Sequence, residues 1–294
     1  MTSELFMDVA SINQAVAEKC LALYGVQRDS VYTASRPKLD LKDIVEDDTW
    51  RYEELPRALE SGESLSKAQL ARLVKWKITH GVHRPFLPGM IQKNTDAEVQ
   101  EHTAKAASLI KDIHRDQSAD LIISSVESAL KQVCNLKGVG PATGTLVLSV
   151  FRPEIVPFFE DELYFCLHPD HAGKLKYDKA EYRSLLSRAL DIVLNKGVEA
   201  RALEKTAYVL MHADKLGEDE REQLKQCLSV PATAVQPEKD DVEARGNQTG
   251  SKDRGDESAL TRSDRKQAGV RRKAEPQADT GDRLRRSKRR KAQP

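Results

Sequence analysis

Leu136-Lys137-Gly138-Val139-Gly140-Pro141-Ala142-Thr143-Gly144 stands between a polar, periodic segment and an apolar one. Upstream, Ser118 can cap a helix that turns Leu121, Ile122, Val126, Ala129, Leu130 and Val133 inward. Downstream, Leu146, Val147, Val150 and Phe151 belong to a mostly buried helix. Gly138 and Gly140 suit a sharp turn, because glycine tolerates φ > 0. Pro141 suits the first helical position, where its missing N–H costs nothing. The stretch predicts two helices over about residues 118–152, joined by a tight turn whose N–H groups point outward. Such groups at a positive helix end form an anion site suited to a phosphate. An ordinary helix–helix connection would use glycine in the same way.

The rest of residues 1–230 reads as helical too. Val9, Ile12, Val16, Cys20 and Leu23 mark one face of a helix that Gly25 is expected to end. Residues 26–46 lack a period and read as a loop, and Asp47-Asp48-Thr49-Trp50 reads as the next helix start. Trp50 is expected to anchor packing, and Pro56 to kink or end its segment. Ser66-Lys67-Ala68-Gln69 and Thr95-Asp96-Ala97-Glu98 are capping boxes. Asp178 opens a helix that closes at Gly197, and residues 199–216 and 218–228 complete the pattern. Nothing alternates at period two, and Pro157 argues against a strand in Ile155–Phe159. The predicted fold class is all-α.

Charge divides the 294-residue chain. Residues 231–294 carry 17 Lys+Arg against 11 Asp+Glu, leaving 30 against 35 for residues 1–230. The whole-chain net of +1 thus hides an acidic body and a basic tail. The tail lacks apolar periodicity and is expected to be disordered. Its clusters Arg271-Arg272-Lys273 and Arg285-Arg286-Ser287-Lys288-Arg289-Arg290-Lys291 resemble a bipartite nuclear-import signal, so an import receptor and a nuclear location are expected. A general polyanion-binding tail has the same composition. Cys20, Cys134, Cys166 and Cys227 have neither metal-ligand nor CxxC spacing, as in a reduced intracellular protein. No signal peptide or membrane-length apolar run is read. A monomer without membrane contact, metal or cofactor is expected.

Two further segments carry chemistry-bearing residues. Trp76-Lys77-Ile78-Thr79-His80-Gly81-Val82-His83-Arg84-Pro85 gathers cations and an aromatic ring at a helix end. Lys77 and Arg84 could contact phosphate while Trp76 stacks; alternatively, Trp76 packs inside and Arg84 caps carbonyls. Glu160-Asp161-Glu162 follows an apolar run. A carboxylate there could activate a nucleophile or stabilise a cationic transition state; equally, acidic residues favour a helix N-terminus. His168 and His171, three apart without further ligands, are weak metal candidates.

The pattern hydrophobe-x-Gly-hydrophobe-Gly, with Thr143 three residues later, resembles the DNA-binding helix-hairpin-helix element. That resemblance implies that Lys137, Gly138, Gly140 and Thr143 grip the backbone of double-stranded DNA without reading bases. It extends over roughly residues 118–165 to the helix-hairpin-helix DNA glycosylases, in which a catalytic Asp follows the second helix. Asp161 matches that position. Bifunctional members carry a Lys nucleophile where this chain has Ala142, so Schiff-base chemistry through that position is not implied. Trp76-Lys77, Gly81 and Arg84-Pro85, followed by the hairpin, also resemble an uncharacterised eukaryotic branch of that superfamily, over about residues 40–215. The expected function is nuclear DNA binding by a glycosylase-like domain in DNA repair. The alternatives are a monofunctional base-excision enzyme using Asp161 and an interaction scaffold, which the acidic body would suit, since DNA binders usually show a basic face.

Overall fold

The computed structural model describes residues 9–60 and 64–229, all within one compact unit. The expected tail and its basic clusters lie outside the described residues. Every regular element among the described residues is helical: α1 (Gln14–Ser35), α2 (Leu41–Thr49), α3 (Leu55–Leu59), α4 (Lys67–His80), α5 (Leu87–Ile91), α6 (Asp96–Ile110), α7 (Ala119–Val133), α8 (Pro141–Phe151), α9 (Asp161–Leu167), α10 (Lys179–Asn195), α11 (Ala200–Met211) and α12 (Glu218–Ser229). A π-helical turn, Trp50–Glu54, joins α2 to α3, and short 3-10 turns lie at Val9–Ser11 and Ala213–Lys215. None of these helices is long and apolar enough to cross a membrane.

Side-chain caps set the predicted starts. Ser66 Oγ accepts the Gln69 N–H at 3.2 Å while Gln69 Oε1 accepts the Ser66 N–H at 2.8 Å. Thr95 and Glu98 repeat the exchange at α6, at 3.2 and 2.6 Å. Asp178 caps α10 by accepting from Ala180 and Glu181. Each such cap is worth about 1 kcal/mol.

The N-terminal third differs from expectation. Gly25 does not end α1, which continues to Ser35. A Cβ at Gly25 would meet nothing within 4 Å, so glycine here costs only its backbone entropy, about 1 kcal/mol. The second half of α1 buries Gln27, Arg28 and Tyr32. Arg28 pairs with Asp48 at 3.0 Å, and Asp48 also accepts from Tyr24 and Trp76 Nε1. Polar residues buried by pairing leave no apolar period to read. Asp40 caps α2, so Asp47–Trp50 ends a helix instead of starting one. Trp50 is buried under Arg72, whose guanidinium lies 4.4 Å from the ring centroid. Pro56 does not end its segment. It has no N–H for the Tyr52 carbonyl, and the wider π turn just before it accommodates the missing bond.

Helix α8 is the axis of the fold. Ala142 through Val150 are all buried, as a helix apolar on every side must be. It packs against α3, α4, α6, α7 and α10. Gly144 sets the approach of α7, because a Cβ there would lie 2.6 Å from Leu130 Cδ1. The Phe158–Glu160 segment and the α7–α8 turn are thereby fixed at neighbouring points of one core.

Candidate functional site

The α7–α8 connection is the predicted tight turn, but its two glycines differ. Gly138 has φ +82°, and a Cβ on it would sit 2.8 Å from Met90 Cβ in α5. Gly140 has φ −93° and ψ −176° and stands as the residue before α8, exposed, with open space where a Cβ would go. Only Gly138 requires glycine. Asn94 clamps the turn: its Oδ1 accepts the Lys137 N–H at 2.8 Å and its Nδ2 donates to the Lys137 carbonyl at 2.9 Å. In α8 the Gly144 N–H bonds to the Gly140 carbonyl at 2.7 Å. The N–H groups of Ala142 and Thr143 therefore have no partner within the helix. Thr143 is 5% exposed, and Lys137 Nζ lies 3.2 Å from the Lys93 carbonyl and 3.6 Å from Glu98 Oε1.

A cleft of about 890 Å³ opens beside this turn. Gly138, Gly140 and Thr143 line it together with Lys77, Arg84 and Asp161, so residues from three distant segments meet in one place. Lys137 is not among its lining residues. Asp161 is the first residue of α9, and the Tyr177 hydroxyl donates to its carboxylate, 2.8 Å from Oδ1 and 3.0 Å from Oδ2. Burial pushes the Asp161 carboxyl above its ordinary range; the Tyr177 hydrogen bond and the Lys77 and Arg84 charges oppose the rise, and Glu162 adds to it. The Lys77 amine is pushed down by burial and by Arg84. An acid held up and an amine held down are what acid–base chemistry near neutral pH requires.

Tyr177 was not legible as a site residue. Its φ of +55° is the one positive value outside glycine among the described residues, a conformation that costs about 1–3 kcal/mol. Glu181 holds it there by accepting the Lys176 and Tyr177 N–H groups at 2.9 and 2.7 Å. The Arg84 guanidinium lies 5.7 Å from the Tyr177 ring centroid. From this conformation the Tyr177 hydroxyl reaches Asp161.

The floor of the cleft is formed by Glu160 and His80. The backbone carrying Glu160 is pinned at three points. Glu204 Oε1 accepts the Phe158 N–H at 2.8 Å, Thr145 Oγ1 accepts the Phe159 N–H at 3.0 Å, and the Tyr182 hydroxyl donates to the Pro157 carbonyl at 3.2 Å. The Glu160 side chain itself has no hydrogen-bond partner at either oxygen, although it is buried. Burial and the neighbouring Glu204 and Glu162 carboxylates push its pKa well above the ordinary range, with Arg51 opposing. His80 Nε2 is also unpartnered and lies 3.9 Å from Glu160 Oε2. The ring of His80 is fixed by Tyr32, 3.1 Å from Nδ1, and by stacking on Trp76 at 4.7 Å. Burial lowers its pKa, with Glu162 and Asp48 opposing.

Several sequence alternatives resolve here. Trp76 packs inside, 3% exposed. Arg36, and not Arg84, caps the end of α4, through the carbonyls of Ile78, Thr79 and Gly81. His168 is engaged by the Tyr164 carbonyl at 2.9 Å and Ser184 Oγ at 2.8 Å. The rim carries Phe86, 84% exposed, with Val82 and Met90 beside it in sequence and also exposed. No family model, curated protein or solved structure matches the chain.

Proposed function

We propose that the cleft binds double-stranded DNA at the α7–α8 turn and that Asp161 acts on a nucleotide drawn into it, as in monofunctional base excision. The observation that carries this reading is the convergence of the turn, two cations and a half-buried carboxylate on one cavity. About 890 Å³ lies within the roughly 300–1,000 Å³ range of small-ligand sites, enough for a nucleotide. The free first-turn N–H groups of α8, with Lys77 and Arg84, supply what a phosphodiester needs. Asp161, its pKa raised by burial, suits a general base for an attacking water. Its hydrogen bond from Tyr177 fixes the carboxylate orientation. Lys137, half-engaged by Glu98, would contribute charge from outside the cleft. The basic tail would carry the protein to the nucleus, and changing the Arg285–Lys291 cluster to Ala should move a tagged protein toward the cytoplasm.

The test is binding and base release on abasic, mismatched, base-modified and intact duplexes at two salt concentrations. Asp161→Asn should lower base release by about 10²–10⁴-fold and leave binding nearly unchanged. Gly140→Asp should weaken binding about equally for all sequences, since it places a negative charge against a phosphate. A borohydride-trapped complex with an abasic duplex that is lost in Lys77→Ala would instead assign the Lys77 amine as nucleophile. Absence of any salt-sensitive duplex affinity would overturn the reading. The exposed apolar group of Val82, Phe86 and Met90 would then favour a protein-docking scaffold.

A further inference from the structure

We infer that Glu160 and His80 form a recognition subsite on the cleft floor for a planar heterocycle presenting a hydrogen-bond donor beside an acceptor. The inference deepens the nucleic-acid reading and rests on it only for taking that heterocycle to be a nucleobase. Three polar atoms, both Glu160 oxygens and His80 Nε2, are buried without partners, on two residues that line the same cavity. Buried polar groups are nearly always hydrogen-bonded, and each orphan costs about 1–3 kcal/mol. Three orphans at the floor of one cleft are satisfied together if a ligand reaches them.

The chemistry of the pair selects the ligand class. Glu160 is surrounded by carboxylates, while the nearby Arg51 is engaged with Glu204 at 2.7 Å. Burial and these carboxylates push the Glu160 pKa up and so favour the neutral acid, one O–H donor beside one C=O acceptor. The complement is an acceptor beside a donor, as on a lactam such as uracil or an amidine such as adenine. A cationic base would call for an ionised carboxylate instead. His80, fixed between Tyr32 and Trp76, offers one further nitrogen. Phe158 and Tyr208 also line the cleft.

The test uses the full chain and free bases, so it does not depend on DNA binding. Uracil and adenine are titrated by calorimetry or saturation-transfer NMR, with 1,3-dimethyluracil as the blocked control. At least one unblocked base should bind, and dimethyluracil at least about tenfold more weakly, because it leaves the buried acid unpaired. Glu160→Gln keeps a neutral donor and acceptor and should hold binding within about threefold; Glu160→Leu should lose it by about tenfold or more. Equal binding of uracil and its dimethyl form, no bound base, or a Gln variant as defective as the Leu variant would each overturn the inference. If Glu160→Leu fails to fold, the comparison of blocked and unblocked bases on the unaltered chain still decides. Base binding without salt-sensitive duplex affinity would sink the nucleic-acid reading and leave the subsite standing. Duplex affinity without base binding would do the reverse.

Discussion

Glu204 and Glu160 flank one short segment, Pro157–Phe159, at 0% and 5% exposure, and the molecule treats them oppositely. Glu204 takes Arg51 at 2.7 Å on one oxygen and the Phe158 N–H at 2.8 Å on the other. Arg51 also donates to Ser149 at 3.0 Å and lies 3.9 Å from the Tyr52 ring centroid. The Glu204 carboxylate is thus buried with a partner on each oxygen, although Arg51 Nε itself is left without one. Glu160 has none of this and lines a cavity. The difference separates an acid that builds the fold from one that the fold leaves without a partner. Glu204 also pins the backbone at Phe158, and so fixes where Glu160 and Asp161 stand.

The comparison breaks most sharply at Arg51. Arg51→Ala leaves Glu204 buried without its counter-charge, and should destabilise the protein by about 3–5 kcal/mol in urea titration. A loss under about 1 kcal/mol would mean that water or another cation reaches Glu204, and the two glutamates would no longer be different in kind.

Glu160→Gln should act in the opposite direction and depend on pH. A carboxyl whose folded pKa is raised contributes its full stability below the unfolded value, about 4.3, and loses it as pH rises toward the folded value. Glutamine has no such dependence. The variant should gain on the unaltered chain by up to about 1.4 kcal/mol per pH unit above about 4.3, until Glu160 itself ionises in the folded state. Paired denaturation curves at several pH values read this directly. A difference that stays flat with pH would mean that Glu160 is ionised and paired after all.

Which parts of this were legible follows from where the information lies. The capping boxes at Ser66 and Thr95, the apolar α8 and the turn at Gly138 are local patterns, and local patterns survive in sequence. Asp161 is singled out only through the resemblance to helix-hairpin-helix glycosylases, by its place after the second helix. Gly25 misled because a glycine in an open position stops nothing. Residues 26–46 misled because α1 buries Arg28 and Tyr32 through partners twenty or more residues away, Asp48 and His80. The same limit hides the floor of the cleft. Glu160 owes its character to Glu204, Thr145 and Tyr182, and the Tyr177 hydroxyl meets Asp161 from sixteen residues away; neither has a spacing to betray it. His80 lies inside a segment that stands out for its charges, but its orientation depends on Tyr32 and Trp76 around it. What pairing decides, a one-dimensional period cannot reveal.

The smallest effect belongs to Lys137, and it bears on what exposure does to an ion pair. Lys137 Nζ is 3.6 Å from Glu98 Oε1, both side chains about half exposed at 55% and 44%. Such a pair is screened by water and salt and contributes little to folding. The Glu98 carboxyl is already held low by the Thr95 backbone and hydroxyl, with Lys137 a lesser cause. Lys137→Gln should therefore leave the melting temperature unchanged within error. On duplex DNA it should reduce the slope of log affinity against log salt by about 1, with no change in preference among sequences, as the loss of one phosphate contact does. An unchanged slope would place Lys137 off the DNA path and leave the backbone N–H groups of α8, with Lys77 and Arg84, as the whole of the phosphate grip. A fall in melting temperature would instead make the Glu98 pair a structural one, nearer in kind to Arg51 and Glu204 than its exposure allows.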